Sequence, residues 1–458
     1  MPDTLNGTAP ALAADAKINA SLADWLDRQP ITVRETLAAL GQLLSGGAVV
    51  PDPDVPEPGT RDAWIAAQLG GVDLARVCRM KRGLGPVDGV RAGLALGELV
   101  HAAQPAQIGP RRYGRRRYAE LNDALTWLRI EGPNRRVYTY PHEVALATDA
   151  LAEGAVVVAW EAGDRSIHVE VIACDEGTAA GALDELIRRG REGHDPYRGG
   201  VWRADGGGSY ATLEARPAPA LTRADVAVDP AVWAELDLAA ASITTEAVRM
   251  RELALGGRRG VLLTGPPGTG KSAAVEVIAG ELAGTATVVY LDGRSAAYNL
   301  QSVTAELVQI GGPILLIIED IDLAVGGSRG GSIDAALGQF LAAMDEHRDE
   351  PILLLATANT TKTLDPAAVR AARFDATVEV GYPDLAARAA ILDALCARIS
   401  GDVDTAAVAE AAPPETTGAD LREAVRRCVL VDGSVNTAGL RAALTGRQAE
   451  ATGVGVYL

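Results

Sequence analysis

The sequence predicts an α/β protein: a parallel sheet flanked by helices with a helical lid behind it, preceded by an α-rich region and a small α/β domain. Three observations point there. From about residue 231 onward, short apolar runs alternate with helical stretches, the pattern of parallel strands joined by crossover helices. One such run, GVLL (260–263), leads into GPPGTGKS and then into the helical AAVEVIAGELAG. Two further runs, PILLIIEDID (313–322) and PILLLATANT (351–360), are apolar at nearly every position, as strands buried on both faces must be.

The elements follow in order along the chain. Over 1–47, apolar positions at Leu22, Trp25, Leu26, Leu37, Leu40, Leu43 and Leu44 recur at helical spacing and predict a helical segment. Repeated prolines in AVVPDPDVPEPGT then remove backbone donors and favour extended chain, so 48–60 reads as a linker. Helical spacing returns over an α-rich, basic domain at 61–150, interrupted near GLGPVDG and QPAQIGP. AVVVAWEAGDRSIHVEVIAC (155–174) gives two β-rich runs around a turn, and ALDELIRRGRE (182–192) a helix, within a small α/β domain at 151–215. A second proline-containing connector at 216–230 precedes the large α/β module (231–380) and its helical lid (381–458).

Composition sets limits on function. A chain of 458 residues at roughly 150 per domain suggests about three domains. The net charge of −17 argues against non-specific attraction of the whole molecule to nucleic acid or anionic lipid. Cys78, Cys174, Cys396 and Cys428 lie far apart without zinc-ribbon spacing, which suits a reducing compartment. The N-terminus has no basic start before an apolar core, and no uninterrupted apolar run of about 18 residues occurs. A soluble, cytoplasmic chain without a membrane segment is the expectation. There are only four lysines among many arginines, a bias associated with high-GC bacterial or phage coding.

The chemistry concentrates in the second half. Gly265, Pro266, Pro267, Gly268, Thr269, Gly270, Lys271 and Ser272 spell GxxxxGK[ST] between a strand and a helix, with Ala273 following. Glycines are needed there because backbone N–H groups must approach phosphate oxygens closely, and the helix N-terminus adds its positive end. Lys271 would reach the β- and γ-phosphates and Ser272 would ligate Mg²⁺. About fifty residues on, IIEDID ends a strand in acids. Glu319 is assigned to the metal and Asp320 to the attacking water, while Asp322 reads as structural. The third strand ends in Asn359, able to hold that water or the γ-phosphate. LDPAAVRAARFD then supplies Arg370 and Arg373, which could stabilise a loose phosphoryl transition state worth roughly 10³ or more in rate.

GPPGTGKS, IIEDID, ATANTTKTLDPAAVRAARFD and TTGADLREAV (416–425) resemble the Walker A, Walker B, sensor 1, arginine-finger and lid motifs of the AAA family of ATPases, in the family's order and spacing, over about 231–458. The resemblance implies Mg²⁺-dependent hydrolysis of ATP. It also implies that Arg370 and Arg373 act on a neighbour's nucleotide in a ring, most often a hexamer, and that Gly418 and Ala419 lie beside the nucleotide. The Glu–Asp order departs from the commonest pattern and is similar to that of mitochondrial inner-membrane AAA translocases. Their membrane segment is missing from this sequence, so their substrate class does not carry over.

What such a ring would act on is less legible. Family members that thread polypeptide use an aromatic–apolar–glycine loop; here DGRSAAYNLQSV offers Tyr298, followed by Asn299 and Leu300 and no glycine, so Tyr298 is either a pore residue or packs locally. No HExxH occurs, since His142 and Glu143 begin HEVAL, and no fused zinc protease is expected. The five histidines show no ligand spacing. Between Arg76 and Arg136 thirteen basic residues face five acidic ones, and RRYGRRRY (111–118), with Tyr113 and Tyr118 interleaved, could grip phosphates and stack on bases. The helix-like AELNDALTWLRI and strand-like RRVYTY would suit a winged-helix shape. The same charges could equally dock on acidic neighbours or face solvent. The preferred expectation is a remodeller of a protein client chosen by the N-terminal half. The alternatives are a nucleic-acid-directed loader or translocase, and a slow nucleotide-switched scaffold.

Overall fold

A computed structural model of the chain describes residues 60–110, 125–133, 136–162, 166–193, 195–206, 211–292, 303–321, 348–359 and 374–451. The expected helical segment at 1–47, the linker except Thr60, the RRYGRRRY run, Tyr298, Asp322, Arg370 and Arg373 lie outside them.

The front of the described chain is a helix–sheet layer. Helix α1 (Arg61–Gln68) starts at Thr60, whose hydroxyl accepts the Ala63 N–H at 3.2 Å. Strand β1 (Cys78–Leu84) leads into α2 (Pro86–Ala102), and a separate antiparallel hairpin follows, β2 (Trp127–Glu131) with β3 (Val137–Pro141). Strands β4 (Glu143–Ala147), β5 (Ala155–Glu161) and β6 (Ile167–Ala173) precede α3 (Glu176–Glu192). β1, β6, β5 and β4 form one antiparallel sheet in that order. Alternation splits its faces. Val157, Ala159, Val169 and Val171 pack toward α2 and α3, while Val156, Val158 and Ile172 pack under Ile65 of α1 and Leu69 just beyond it.

The second sheet carries the site. Its members are β7 (Val201–Gly206), β8 (Ala211–Ala215), β9 (Arg259–Thr264), β10 (Thr287–Asp292), β11 (Ile314–Glu319), β12 (Ile352–Ala358) and β13 (Ala376–Glu379). They lie in the order β13-β9-β12-β11-β10-β7-β8, parallel throughout except for β8. Helices α4 (Pro230–Ile243) and α5 (Ala247–Glu252) precede β9, α6 (Lys271–Leu282) follows it, and α7 covers 303–310. The apolar runs alternate as doubly buried strands do: Leu315 and Ile317 pack with α4 and α6, and Leu316 and Ile318 join the core shared with the front layer. Four helices, α8 (Leu385–Cys396), α9 (Thr405–Ala411), α10 (Gly418–Asp432) and α11 (Thr437–Ala451), form the C-terminal bundle around Leu392, Val408, Leu421 and Leu440.

Four expectations for the front half need correction. The region 61–150 is not simply α-rich, because β1 to β4 lie in it. A boundary at 150 falls inside a hairpin, since Ala145 pairs with Val158. The stretch to 215 is not a self-contained α/β domain either: β7 pairs in parallel with β10, Val201 opposite Val288, so its last strands belong to the second sheet. Trp202 fixes that junction, buried to 1% exposure with its indole N–H donating to the Tyr197 carbonyl at 2.9 Å. The helix read over AELNDALTWLRI gives way to a strand from Trp127, because Leu128 and Ile130 pair with Tyr140 and Tyr138.

Candidate nucleotide site

The site forms where β9, β11 and β12 end side by side. Val261, Leu262 and Leu263 are fully buried and anchor β9, so the loop that follows leaves from a rigid base. Gly265, Gly268 and Gly270 all take positive φ, at 147, 81 and 102°, which only glycine adopts at little cost. A side chain at Gly265 would collide with the Val380 carbonyl, because β13 continues past the loop and the Val380 N–H donates to Thr264 at 2.7 Å. Thr269 braces the turn by donating its hydroxyl to the Pro266 carbonyl at 2.9 Å. The helix α6 then opens at Lys271 with the exposed Ser272 in its first turn.

Lys271 is buried to 5% and folded back onto the loop. Its ammonium donates to the carbonyls of Gly265 and Pro266 at 2.8 Å each, and to Asn359 Oδ1 at 3.0 Å. Asn359 in turn donates from Nδ2 to Asp320 Oδ1 at 3.2 Å. A cation from the start of α6, and an amide and a carboxylate that directly follow β12 and β11, therefore form one chain. Glu319 ends β11 half-buried, opposite Asp292 of β10, and shares the strand face of Leu315 and Ile317 toward α6.

The C-terminal bundle closes over the loop. Helix α10 begins at a capping box in which Thr417 accepts the Asp420 N–H at 3.2 Å and donates its hydroxyl to Asp420 at 2.7 Å. That places the Ala419 N–H 3.3 Å from the Gly268 carbonyl. A Cβ on Gly268 would stand 2.8 Å from that of Ala419, so the loop and the bundle meet backbone to backbone. Gly418 and Ala419 thus lie against the loop between β9 and α6.

Beside the loop lies a cleft of about 1040 Å³ walled by Val228, Thr269, Val380, Tyr382 and Ala387. Its lining mixes apolar side chains with Asp229, Glu235, Arg259 and Asp384, and it touches the loop at Thr269. Sequence reasoning missed this wall; the one local signal was Asp229 before Pro230, which caps α4 by accepting the Ala231 N–H at 2.8 Å. It also missed Thr357, fully buried in β12, whose hydroxyl accepts the Asp320 N–H at 2.9 Å. Of the expected site residues, the structure gathers 265–273, Glu319, Asp320, Asn359, Gly418 and Ala419. Arg370 and Arg373 are outside the described residues. Among the described residues no group of three His, Cys, Asp or Glu side chains could hold a metal by itself. A serine hydroxyl with one or two carboxylates is nonetheless the kind of oxygen donor set that suits Mg²⁺ completed by phosphate and water.

Fold and site together define a P-loop nucleotide-binding module. Comparison with known proteins narrows this. The family model for "ATPase family associated with various cellular activities (AAA)" matches residues 261–382. The chain is similar to the ATP-dependent zinc metalloprotease FtsH of Veillonella parvula, 34% identical over 195 residues, which is 39% of this chain and 30% of that protein. It is also similar to the FtsH of Haemophilus influenzae, 34% identical over 201 residues (40% and 31%), and to that of Acidothermus cellulolyticus, 36% identical over 210 residues (42% and 29%). The match thus spans under a third of each relative's length. The comparisons support an AAA family ATPase domain at residues 261–382, in the C-terminal half of the chain. Among the described residues no helix is long and apolar enough to cross a membrane.

Proposed function

We propose that the chain binds ATP with Mg²⁺ between the phosphate loop and the C-terminal bundle, hydrolyses it, and uses the cycle to remodel a protein client selected by the N-terminal half. The observation that carries the reading is the linked trio Lys271–Asn359–Asp320 beneath the α10 N-terminus. When nucleotide enters, Lys271 exchanges loop carbonyls for β- and γ-phosphate oxygens. Asp320 then accepts the proton of a water that Asn359 helps to orient, and Ser272 and Glu319 are the residues that would hold Mg²⁺ and its waters. Magnesium would neutralise the developing phosphate charge. Arg370 and Arg373 fit a role on a neighbouring copy's nucleotide, in a ring of six.

A protein client is favoured by two supports. The relatives named above are ATP-dependent proteases, proteins that act on other proteins. The basic character of the front half is also partly spent internally: Arg91 is 2% exposed and paired with Asp195, and Arg79 and Lys81 both reach Glu170, at 3.4 and 3.5 Å. The test is capture from source-cell lysate with Asp320→Asn, which should bind ATP and hold its client, with and without nuclease. A protein retained through nuclease treatment supports remodelling. Recovery of DNA or RNA, with partners lost on digestion, would replace it with the nucleic-acid reading.

A further inference from the structure

We propose that Thr357 is a positioning residue for hydrolysis, holding Asp320 where its short carboxylate can serve; this rests on the hydrolytic reading above. Asp320 stands at φ 49°, one of two described non-glycine residues with positive φ. L-residues rarely take that conformation, so something must hold it. Two bonds from β12 do. The Asp320 N–H donates to Thr357 Oγ1 at 2.9 Å, and Asn359 Nδ2 donates to Asp320 Oδ1 at 3.2 Å. Thr357 lies in β12 and Asn359 directly follows it, and both reach Asp320, one gripping the backbone and the other the carboxylate.

The composition of β12 makes the hydroxyl conspicuous. In ILLLATA, Thr357 is the one polar residue and has 0% exposure. A valine would satisfy the strand equally well, and a buried hydroxyl oxygen carries a desolvation cost that needs a partner to offset it. Its oxygen is used on the Asp320 N–H. The need for it follows from the order of the acids: aspartate reaches about 1.5 Å less far than glutamate, one C–C bond, so at this position the backbone must bring the carboxylate forward. The sharp turn after β11 does so, and Thr357 pins it.

The test is steady-state ATP turnover by the full chain. Thr357→Val, near-isosteric but without the acceptor, should lower kcat by about 10- to 100-fold, the range expected for a reacting group displaced by about 1 Å, and leave KM for ATP within about twofold. Thr357→Ser, which keeps the oxygen, should stay within about threefold of wild type. In an Asp320→Asn background, Thr357→Val should cost nothing further, because the group it positions is already inactive. Thr357→Ala, which removes bulk and cannot overpack, serves if the valine variant fails to fold and should lose kcat in the same way. Wild-type turnover in a folded Val or Ala variant would overturn the role of Thr357 while leaving the hydrolytic reading intact. A serine variant as slow as the valine one, or losses in KM equal to those in kcat, would also overturn it. A wild-type chain that binds ATP and never hydrolyses it would instead remove the reading on which this role stands.

Discussion

Glu306 offers a quantitative check on how the front layer and the ATPase module are joined. It lies on α7 of the module, 6% exposed, and its Oε2 accepts the Val87 N–H at 2.9 Å at the first turn of α2. A Cβ on Gly85, the residue capping α2, would overlap its other oxygen, so the carboxyl fills the space beyond that helix end. Burial pushes its pKa up from 4.5 to about 7; the Val87 N–H opposes this, Asp88 adds to it and Arg91 opposes it. A carboxyl raised in the folded state contributes fully below its unfolded pKa, and the contribution is lost as pH rises through the folded one. Between about pH 4.5 and 7 that loss amounts to roughly 3 kcal/mol, at 1.36 kcal/mol per pH unit. Glu306→Gln keeps an acceptor for Val87 and never ionises. Its stability relative to wild type should therefore climb by up to about 3 kcal/mol between pH 5 and pH 8, read from urea midpoints followed by tryptophan fluorescence. A difference that stays flat with pH, or falls, would refute the reasoning.

Two further outcomes follow from the same contacts. Arg91 of α2, 2% exposed, is paired with Asp195 and donates to the Ile310 carbonyl at 3.2 Å; Arg91→Met removes both contacts while Asp195 keeps Arg198 at 3.4 Å and the Tyr197 N–H at 2.9 Å, so it should cost about 1–3 kcal/mol in the same urea assay, and a loss below about 0.5 kcal/mol would contradict the joint. Gly268→Ala places a methyl against Ala419 at a φ of 81°, and should weaken ATP binding at least about tenfold in a fluorescent-nucleotide titration; unchanged affinity would show that the bundle need not touch the loop to close the site.

What the sequence displays well is what local pattern and fixed spacing encode. β9, β11 and β12 were legible because strands buried on both faces are apolar throughout, and the loop was legible because GxxxxGKS permits few other geometries. TTGADLREAV was legible only through its family resemblance; the capping box of Thr417 and Asp420 that starts α10 there was not read from the sequence. β1 was lost because CRMKRGL is an edge strand whose outward positions are basic, which hides its period. β7 and β8 were not read as strands and fell within a domain bounded at 215; only the pairing of β7 with β10, more than eighty residues away, and of β8 with β7 assigns them to the second sheet, and no local periodicity contains that information. Thr357 was invisible for a related reason: a threonine in a strand is ordinary until the turn opposite it is known to need a partner. Charge counting also could not see that Arg91, one of the thirteen basic residues, is buried.

The account rests most directly on ATP turnover by the full chain compared with Lys271→Ala, measured as phosphate release with Mg²⁺ alongside nucleotide binding. Lys271 is the one ammonium among the described residues set within the phosphate loop, so the wild type should bind and hydrolyse ATP, and the variant should lose binding by at least about tenfold and turnover with it. A wild-type chain that binds no nucleotide, or a Lys271→Ala chain that hydrolyses as fast as its parent, would contradict it.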